Sequence, residues 1–182
     1  SSSRYPIDAG FAVRRFTPAG PLHSCPAQQW LDATQQLLGE SGLVPGVFTI
    51  NAYPKFICRS VHLRVETTDS PFTSLYREGE VIRIPIAHKE GRYVAPEDLL
   101  CGLNDSRRIA FRFCDASGTL TPESNPNGAI EHITGVLNET RNVLAMMPHP
   151  ERASEEILSS DDGKKVFLSM ITHIEQGKGA AA

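Results

Sequence analysis

The stretch Asn142-Val143-Leu144-Ala145-Met146-Met147-Pro148-His149-Pro150-Glu151-Arg152 contains an apolar run of strand length that ends at a Pro-His-Pro-Glu sequence. Pro148 lacks a backbone donor, so the strand stops there and the chain leaves the sheet. His149 and Glu151 follow the carboxyl end of the strand, which is where ligands bind in open α/β sheets. An imidazole oriented by a carboxylate is the base half of a nucleophilic triad. We therefore predict that His149 is a catalytic base held by Glu151; the alternative is a histidine that only caps the strand before a helix that begins at Glu151.

Composition and charge exclude several classes of protein. The chain has 182 residues, of which 40% are hydrophobic and 21% charged, the profile of one globular domain. Its net charge of −3 gives no general reason for binding nucleic acid or an anionic membrane. No apolar run is long enough to span a bilayer, and the first residues lack the apolar core of a secretory signal. We expect a cytoplasmic protein with neither a nucleic-acid nor a membrane partner.

The four cysteines lie far apart, without the spacing of metal ligands, so we expect reduced thiols and no metal site. Cys25 comes just before a predicted helix over residues 27–40, whose N-terminus would stabilise a thiolate. Cys25 is therefore the candidate nucleophile. Cys58 and Cys114 fall in strand-like runs and are predicted to be buried and inert. Cys101 is expected to begin a loop after a short helix.

The hydrophobic periodicity predicts several strands with few helices between them. Such an order fits the C-terminal part of an α/β domain that carries an antiparallel insertion. The predicted helices cover residues 27–40, 96–100 and 164–174, and the predicted strands cover residues 55–66, 80–87, 108–113, 130–137 and 143–147.

A polar loop follows the predicted strand over residues 80–87. His88 ends that strand, and Glu90, Gly91 and Arg92 follow it. The glycine permits a close approach of another molecule, and polar side chains on loops often contact ligands. We predict that His88, Glu90 and Arg92 contact the substrate or a partner; the alternative is an ordinary charged loop.

Four motifs occur in order along the chain and together resemble one family. They are Lys55-Phe56-Ile57-Cys58-Arg59, Pro85-Ile86-Ala87-His88-Lys89-Glu90-Gly91-Arg92-Tyr93, Asn125-Pro126-Asn127-Gly128 and Met146-Met147-Pro148-His149-Pro150-Glu151-Arg152. The chain resembles the glutaminase subunit of phosphoribosylformylglycinamidine synthase, a class I glutamine amidotransferase. The resemblance runs from about Gln35 to Ile174. It implies a flavodoxin-like α/β domain with an antiparallel insertion, incomplete at its N-terminal side. We divide the chain into an unmatched segment (1–34), an amidotransferase-like domain (35–176) and a frayed tail (177–182).

The resemblance also implies a reaction. In this family a cysteine thiolate attacks the side-chain amide of glutamine, which gives a glutamyl thioester and ammonia, and His149 and Glu151 match the base and its orienting acid. The ammonia passes to a separate synthetase subunit, which converts formylglycinamide ribonucleotide to its amidine. ATP and magnesium are used by that subunit, so we expect no cofactor on this chain. The expected partners are glutamine and the synthetase subunit.

The nucleophile is where the chain departs from the family pattern. Family members carry a Gly-x-Cys-x-Gly elbow just upstream of a Leu-x-Pro-Gly turn, which Leu43-Val44-Pro45-Gly46 matches. Alignment on that turn without gaps puts Asp32 in the place of the cysteine, and Trp30 and Thr34 in the places of the glycines. A carboxylate cannot form the thioester. Two hypotheses follow: an active glutaminase that uses Cys25, or an inactive family member that serves as a binding or scaffold subunit.

Overall fold

The computed structural model describes residues 42–158 and 160–179, so Cys25 and the helix predicted over residues 27–40 lie outside the described residues. The described part of the chain folds into seven strands, two α-helices and several short 3-10 turns. In chain order the strands and helices are β1 (Val47–Thr49), β2 (Ile57–Val65), β3 (Val81–His88), β4 (Arg92–Val94), α1 (Glu97–Asp105), β5 (Ile109–Cys114), β6 (Ile133–Leu137), β7 (Leu144–Met146) and α2 (Lys164–Gly179).

Five of these strands form one sheet in the order β3-β2-β5-β6-β7, and every neighbouring pair is antiparallel. Strands β1 and β4 form a separate antiparallel pair. The C-terminal half of β2 alternates buried and half-buried residues, whereas β5 and β6 are buried along their whole length. The antiparallel insertion predicted from the sequence is therefore present as this sheet.

The sheet curls, so that the segment that follows edge strand β7 contacts the opposite edge strand, β3. Strands β3 and β7 stand at opposite ends of the strand order, yet the backbone N–H of His149 donates to the carbonyl oxygen of Pro85 in β3 at 2.9 Å. Pro85 itself has no N–H to donate, which suits its place in an edge strand. The curl thus brings the Pro-His-Pro-Glu segment against β3.

The core lies between the sheet and the two helices. Helix α1 contributes the buried Leu100 and Leu103, and α2 contributes Val166. The ring of Tyr76 meets Phe111 of β5 edge-on, with 6.3 Å between centroids. The Tyr76 hydroxyl donates to the backbone of the turn before α2 at 2.7 Å, and burial raises the pKa of this phenol. These contacts attach α2 to the sheet that carries the site.

The start of strand β6 differs from the prediction. Residues 130–132 form a 3-10 turn, in which Glu131 has φ 48° and His132 has φ 62°, and the strand begins only at Ile133. The cause is Arg112 of β5, whose side chain is 9% exposed. Its guanidinium donates to the carbonyl oxygen of Glu131 and lies 3.1 Å from the Glu131 carboxylate. The nearly buried guanidinium thus pairs with the carbonyl oxygen and the carboxylate of Glu131, and Glu131 is not part of the hydrogen-bonded strand.

Two predictions about cysteines were wrong. Cys58 is exposed, because the hairpin of β2 and β3 extends beyond the rest of the sheet there, and β5 pairs with β2 only from His62 onward. Cys101 is exposed within α1, since that helix runs to Asp105 and does not end before Cys101. Cys114 is buried as predicted, and burial raises its pKa to about 11. The Cys114 sulfur is therefore a neutral thiol near pH 7.

Candidate active site

The backbone of His149 is fixed by the residues on either side of it. Strand β7 ends at Met146, and Pro148 prevents its continuation. Pro150 opens a 3-10 turn, where its fixed φ and missing N–H are favourable. Between the two prolines, His149 has extended dihedral angles (φ −99°, ψ 91°) and donates its N–H to β3. The local sequence therefore fixes the backbone position from which the imidazole of His149 extends.

His149 and Glu151 form a hydrogen-bonded pair. The distance between His149 Nδ1 and Glu151 Oε1 is 2.8 Å, which is typical of a charge-assisted hydrogen bond. The His149 side chain is 7% exposed and that of Glu151 is 48% exposed. Burial opposes ionisation of Glu151, but the hydrogen bond from His149 and the charge of that ring outweigh it and lower the pKa of the carboxyl.

An ionised Glu151 decides which nitrogen of His149 is basic. A carboxylate accepts hydrogen bonds only, so Nδ1 carries the proton in the neutral ring and Nε2 keeps the lone pair. The carboxylate also stabilises the imidazolium that forms when Nε2 takes a proton. The pair therefore has the geometry of a general base with its orienting acid.

The polar loop after β3 divides into a buried part and a surface part. His88 has no exposed surface, and burial together with the nearby charge of His149 lowers its pKa to about 4. Glu90 and Arg92 are half-buried, and Arg92 Nε donates to the carbonyl oxygen of Gly128 at 3.1 Å. His88 is thus neutral and internal. Contact of Glu90 or Arg92 with a substrate or partner stays a prediction.

Two buried asparagines complete the site and were not predicted from the sequence. Asn51 is 3% exposed and Asn127 has no exposed surface. Asn127 Nδ2 lies 3.1 Å from His88 Nε2 and 2.7 Å from the Gly91 carbonyl oxygen. Asn51 Nδ2 donates to the His88 carbonyl oxygen at 3.2 Å, and its Oδ1 accepts from the Gly91 N–H at 3.3 Å. Asn127 stands in an Asn-Pro-Asn-Gly sequence that is typical of a turn, and such a motif does not show that its asparagine is buried.

The structure brings together the His149–Glu151 pair and a buried polar network around His88. The candidate nucleophile Cys25 lies outside the described residues. Among the described cysteines, Cys114 is a buried thiol with a raised pKa, and Cys58 and Cys101 are exposed on β2 and α1. In the described residues, no group of three His, Cys, Asp or Glu side chains could hold a metal ion. No helix of residues 42–158 and 160–179 has the length and apolar character needed to cross a membrane.

The fold and the site define an α/β domain with a hydrogen-bonded histidine–carboxylate pair, the arrangement that a nucleophile–histidine–acid centre requires. The family model of the CobB/CobQ-like glutamine amidotransferase domain matches residues 31–170. The chain belongs to this glutamine amidotransferase family.

Several curated relatives are similar over most of this chain. The phosphoribosylformylglycinamidine synthase subunit PurQ of Methanosarcina acetivorans is 55% identical over 141 residues, which cover 78% of this chain and 61% of the relative. The same subunit of Methanocaldococcus jannaschii is 49% identical over 137 residues, or 75% of this chain and 60% of the relative. The chain therefore spans about three fifths of the length of the curated relatives it matches.

A solved structure supports the same fold. A chain of PurLQS from Thermotoga maritima matches with a TM-score of 0.64 and 44% identity, over 76% of this chain and 57% of that chain. The predicted fold class and the resemblance drawn from the four motifs are confirmed by these matches.

Proposed function

We propose that this chain acts in a cytoplasmic glutaminase that releases ammonia from glutamine for the conversion of formylglycinamide ribonucleotide to its amidine in purine biosynthesis. The observation that carries the proposal is the 2.8 Å hydrogen bond between His149 Nδ1 and Glu151 Oε1 at the end of β7. The relatives named as PurQ subunits support the choice of reaction.

In the proposed reaction, His149 Nε2 takes the proton of a cysteine thiol, and the thiolate attacks the side-chain carbonyl carbon of glutamine. The imidazolium, stabilised by Glu151, then gives its proton to the departing nitrogen. The C–N bond breaks, ammonia leaves and a glutamyl thioester remains. Water, deprotonated by His149, cleaves the thioester to glutamate and regenerates the thiol. The nucleophile proposed on this chain is Cys25.

The ammonia would be consumed by a separate synthetase subunit. That subunit uses ATP and magnesium, and no cofactor is proposed for this chain. The similarity to a chain of PurLQS from Thermotoga maritima supports such an association.

A second candidate is a family member without catalysis, which binds the synthetase and keeps the fold. The observation that favours it is Asp32, which stands where the family elbow carries its cysteine. This candidate predicts stable association with a synthetase subunit and no release of glutamate.

Glutamate release from glutamine, measured with and without a synthetase subunit, tests the first proposal. We expect His149→Gln to lower kcat by roughly 10³-fold or more, because the base is lost. The matched control is His173→Gln, which changes an exposed histidine of α2 and should leave the rate within about 2-fold. An unchanged rate in His149→Gln would contradict the proposed role of the base.

Trapping with a glutamine-analogue electrophile, followed by peptide mapping, distinguishes the two candidates. Label on Cys25 that depends on His149 supports the glutaminase. No label and no glutamate in the presence of the synthetase subunit would overturn the glutaminase, and retained binding of that subunit would then support the second candidate.

A further inference from the structure

The end of β3 is held by a buried polar network that the reaction described above does not use. Asn51 bonds to the carbonyl oxygen of His88 and to the N–H of Gly91, and Asn127 bonds to the ring of His88 and to the carbonyl oxygen of Gly91. Both polar groups of the Gly91 backbone are thus satisfied by buried side chains. Buried amides are costly unless they are paired, so this network fixes the loop in one conformation.

The network also decides the protonation of the His88 ring. The Gly91 carbonyl oxygen can only accept, so the Asn127 atom 2.7 Å from it is the amide nitrogen. The Asn127 carbonyl oxygen accepts from the N–H of Ala129 at 3.1 Å, which agrees with that orientation. The same amide nitrogen lies 3.1 Å from His88 Nε2, which must therefore accept. The ring proton of His88 is therefore on Nδ1, which is buried and has no hydrogen-bond partner among the described residues.

The ring of His88 is packed directly against Gly91. A Cβ atom added at Gly91 would lie 2.2 Å from His88 Cδ2 and 2.3 Å from His88 Nε2. No side chain fits between them, because real Cβ contacts are not that short. The imidazole therefore acts as a spacer that sets the distance between the end of β3 and the loop.

Strand β3 links this network to the base. Pro85 and His88 lie on the same strand, and the Pro85 carbonyl oxygen holds the backbone of His149 at 2.9 Å. His149 is also close enough for its charge to act on His88. A neutral ring at that place adds no second cation beside the imidazolium of His149.

We propose that His88 is a positioning residue for the His149–Glu151 pair: as the neutral Nδ1–H tautomer it fixes the end of β3 against Gly91, and so fixes the strand on which the backbone of His149 is anchored. This inference rests on the proposed function for its kinetic consequence. Its structural part is independent of any activity.

The first test follows the imidazole nitrogens of the whole chain by ¹⁵N NMR. We expect His88 Nε2 to be unprotonated between about pH 5.5 and 8, and we expect a downfield Nδ1 proton from the His149–Glu151 hydrogen bond. A protonated Nε2 on His88 in this range would overturn the proposal.

The second test compares two variants of His88 and a control by the downfield Nδ1 proton signal of His149. His88→Gln keeps an acceptor within reach of Asn127 and should preserve the signal, whereas His88→Leu removes the acceptor and should broaden or abolish it. His62→Leu, on strand β2, is the matched control and should preserve it. If His88→Leu does not fold, Asn127→Asp takes its place, since it removes the donor to His88 and Gly91. A folded His88→Leu or Asn127→Asp protein with an unchanged His149 signal would contradict the proposal.

Kinetics separate positioning from binding. We expect His88→Leu to lower the kcat of glutamate release by roughly 10-fold to 100-fold with KM within about 2-fold, and His88→Gln to restore the rate to within about 3-fold of the wild type. If His88→Leu and His88→Gln lose kcat equally, His88 does not act through its acceptor nitrogen Nε2. If the wild type releases no glutamate, the proposed function fails, and the NMR comparison alone decides the role of His88.

Discussion

His88 shows how the surroundings of one residue control its charge. Its ring is fully buried, and burial together with the charge of His149 lowers its pKa from 6.5 to about 4. In the unfolded chain the same ring takes up a proton near its ordinary pKa. Between these two values the unfolded state binds more protons than the folded state, so stability falls as pH falls.

We therefore predict that lowering the pH from about 6.5 to 4 removes up to roughly 3 kcal/mol of stability through His88 alone. Denaturant unfolding of the wild type and of His88→Gln across this range measures it, because glutamine does not titrate. The difference in unfolding free energy between the two proteins should change with pH in that direction. A difference that is constant with pH would contradict the neutral, buried state of His88.

The hydrogen bond between His149 and Glu151 was predictable from the local sequence, whereas the network around His88 was not. The apolar run, the two prolines, His149 and Glu151 lie within a few residues of each other, so the two side chains meet without any long-range contact. Asn51 and Asn127 meet His88 only after folding, and their sequence neighbours carry no sign of burial.

At the scale of secondary structure, local patterns predicted the middle of each element better than its ends. Strand β3 was predicted over residues 80–87 and occupies Val81–His88. The prediction is close because the alternating apolar residues of this strand are a local signal. Strand β6 begins later than predicted because of Arg112, which lies on another strand. The ends depend on tertiary contacts, which periodicity does not record.

Two glycines provide a matched pair of predictions for the loop and the helix. Gly91→Ala should destabilise the fold by roughly 1–3 kcal/mol, because the new methyl group would overlap the enclosed ring of His88. Gly102→Ala should stabilise it by up to about 1 kcal/mol, because Gly102 lies in α1 with no atom within 4 Å of an added Cβ. Urea unfolding of the two variants measures both. A Gly91→Ala protein as stable as Gly102→Ala would show that the packing of His88 against Gly91 is not tight.

At the scale of the whole molecule, the curl of the sheet assembles the site from segments far apart in sequence. Asn51, His88, Asn127 and His149 come from different parts of the chain and meet around the end of β3. The antiparallel sheet was predictable from the order and spacing of the strands. The curvature of the sheet was not predictable from the sequence. It is seen in the hydrogen bond from His149 to Pro85, which joins edges that are distant in the strand order.

We propose that His149 and Glu151 act as one catalytic unit. The most direct measurement is a double-mutant cycle on glutamate release, with wild type, His149→Gln, Glu151→Gln and the double variant assayed in the presence of the synthetase subunit. We predict that Glu151→Gln lowers kcat by roughly 10²-fold to 10⁴-fold, and that the double variant is no slower than His149→Gln alone, because the acid acts only through the imidazole. If the two losses of kcat multiply in the double variant, or if Glu151→Gln keeps the wild-type rate, His149 and Glu151 do not act as one unit.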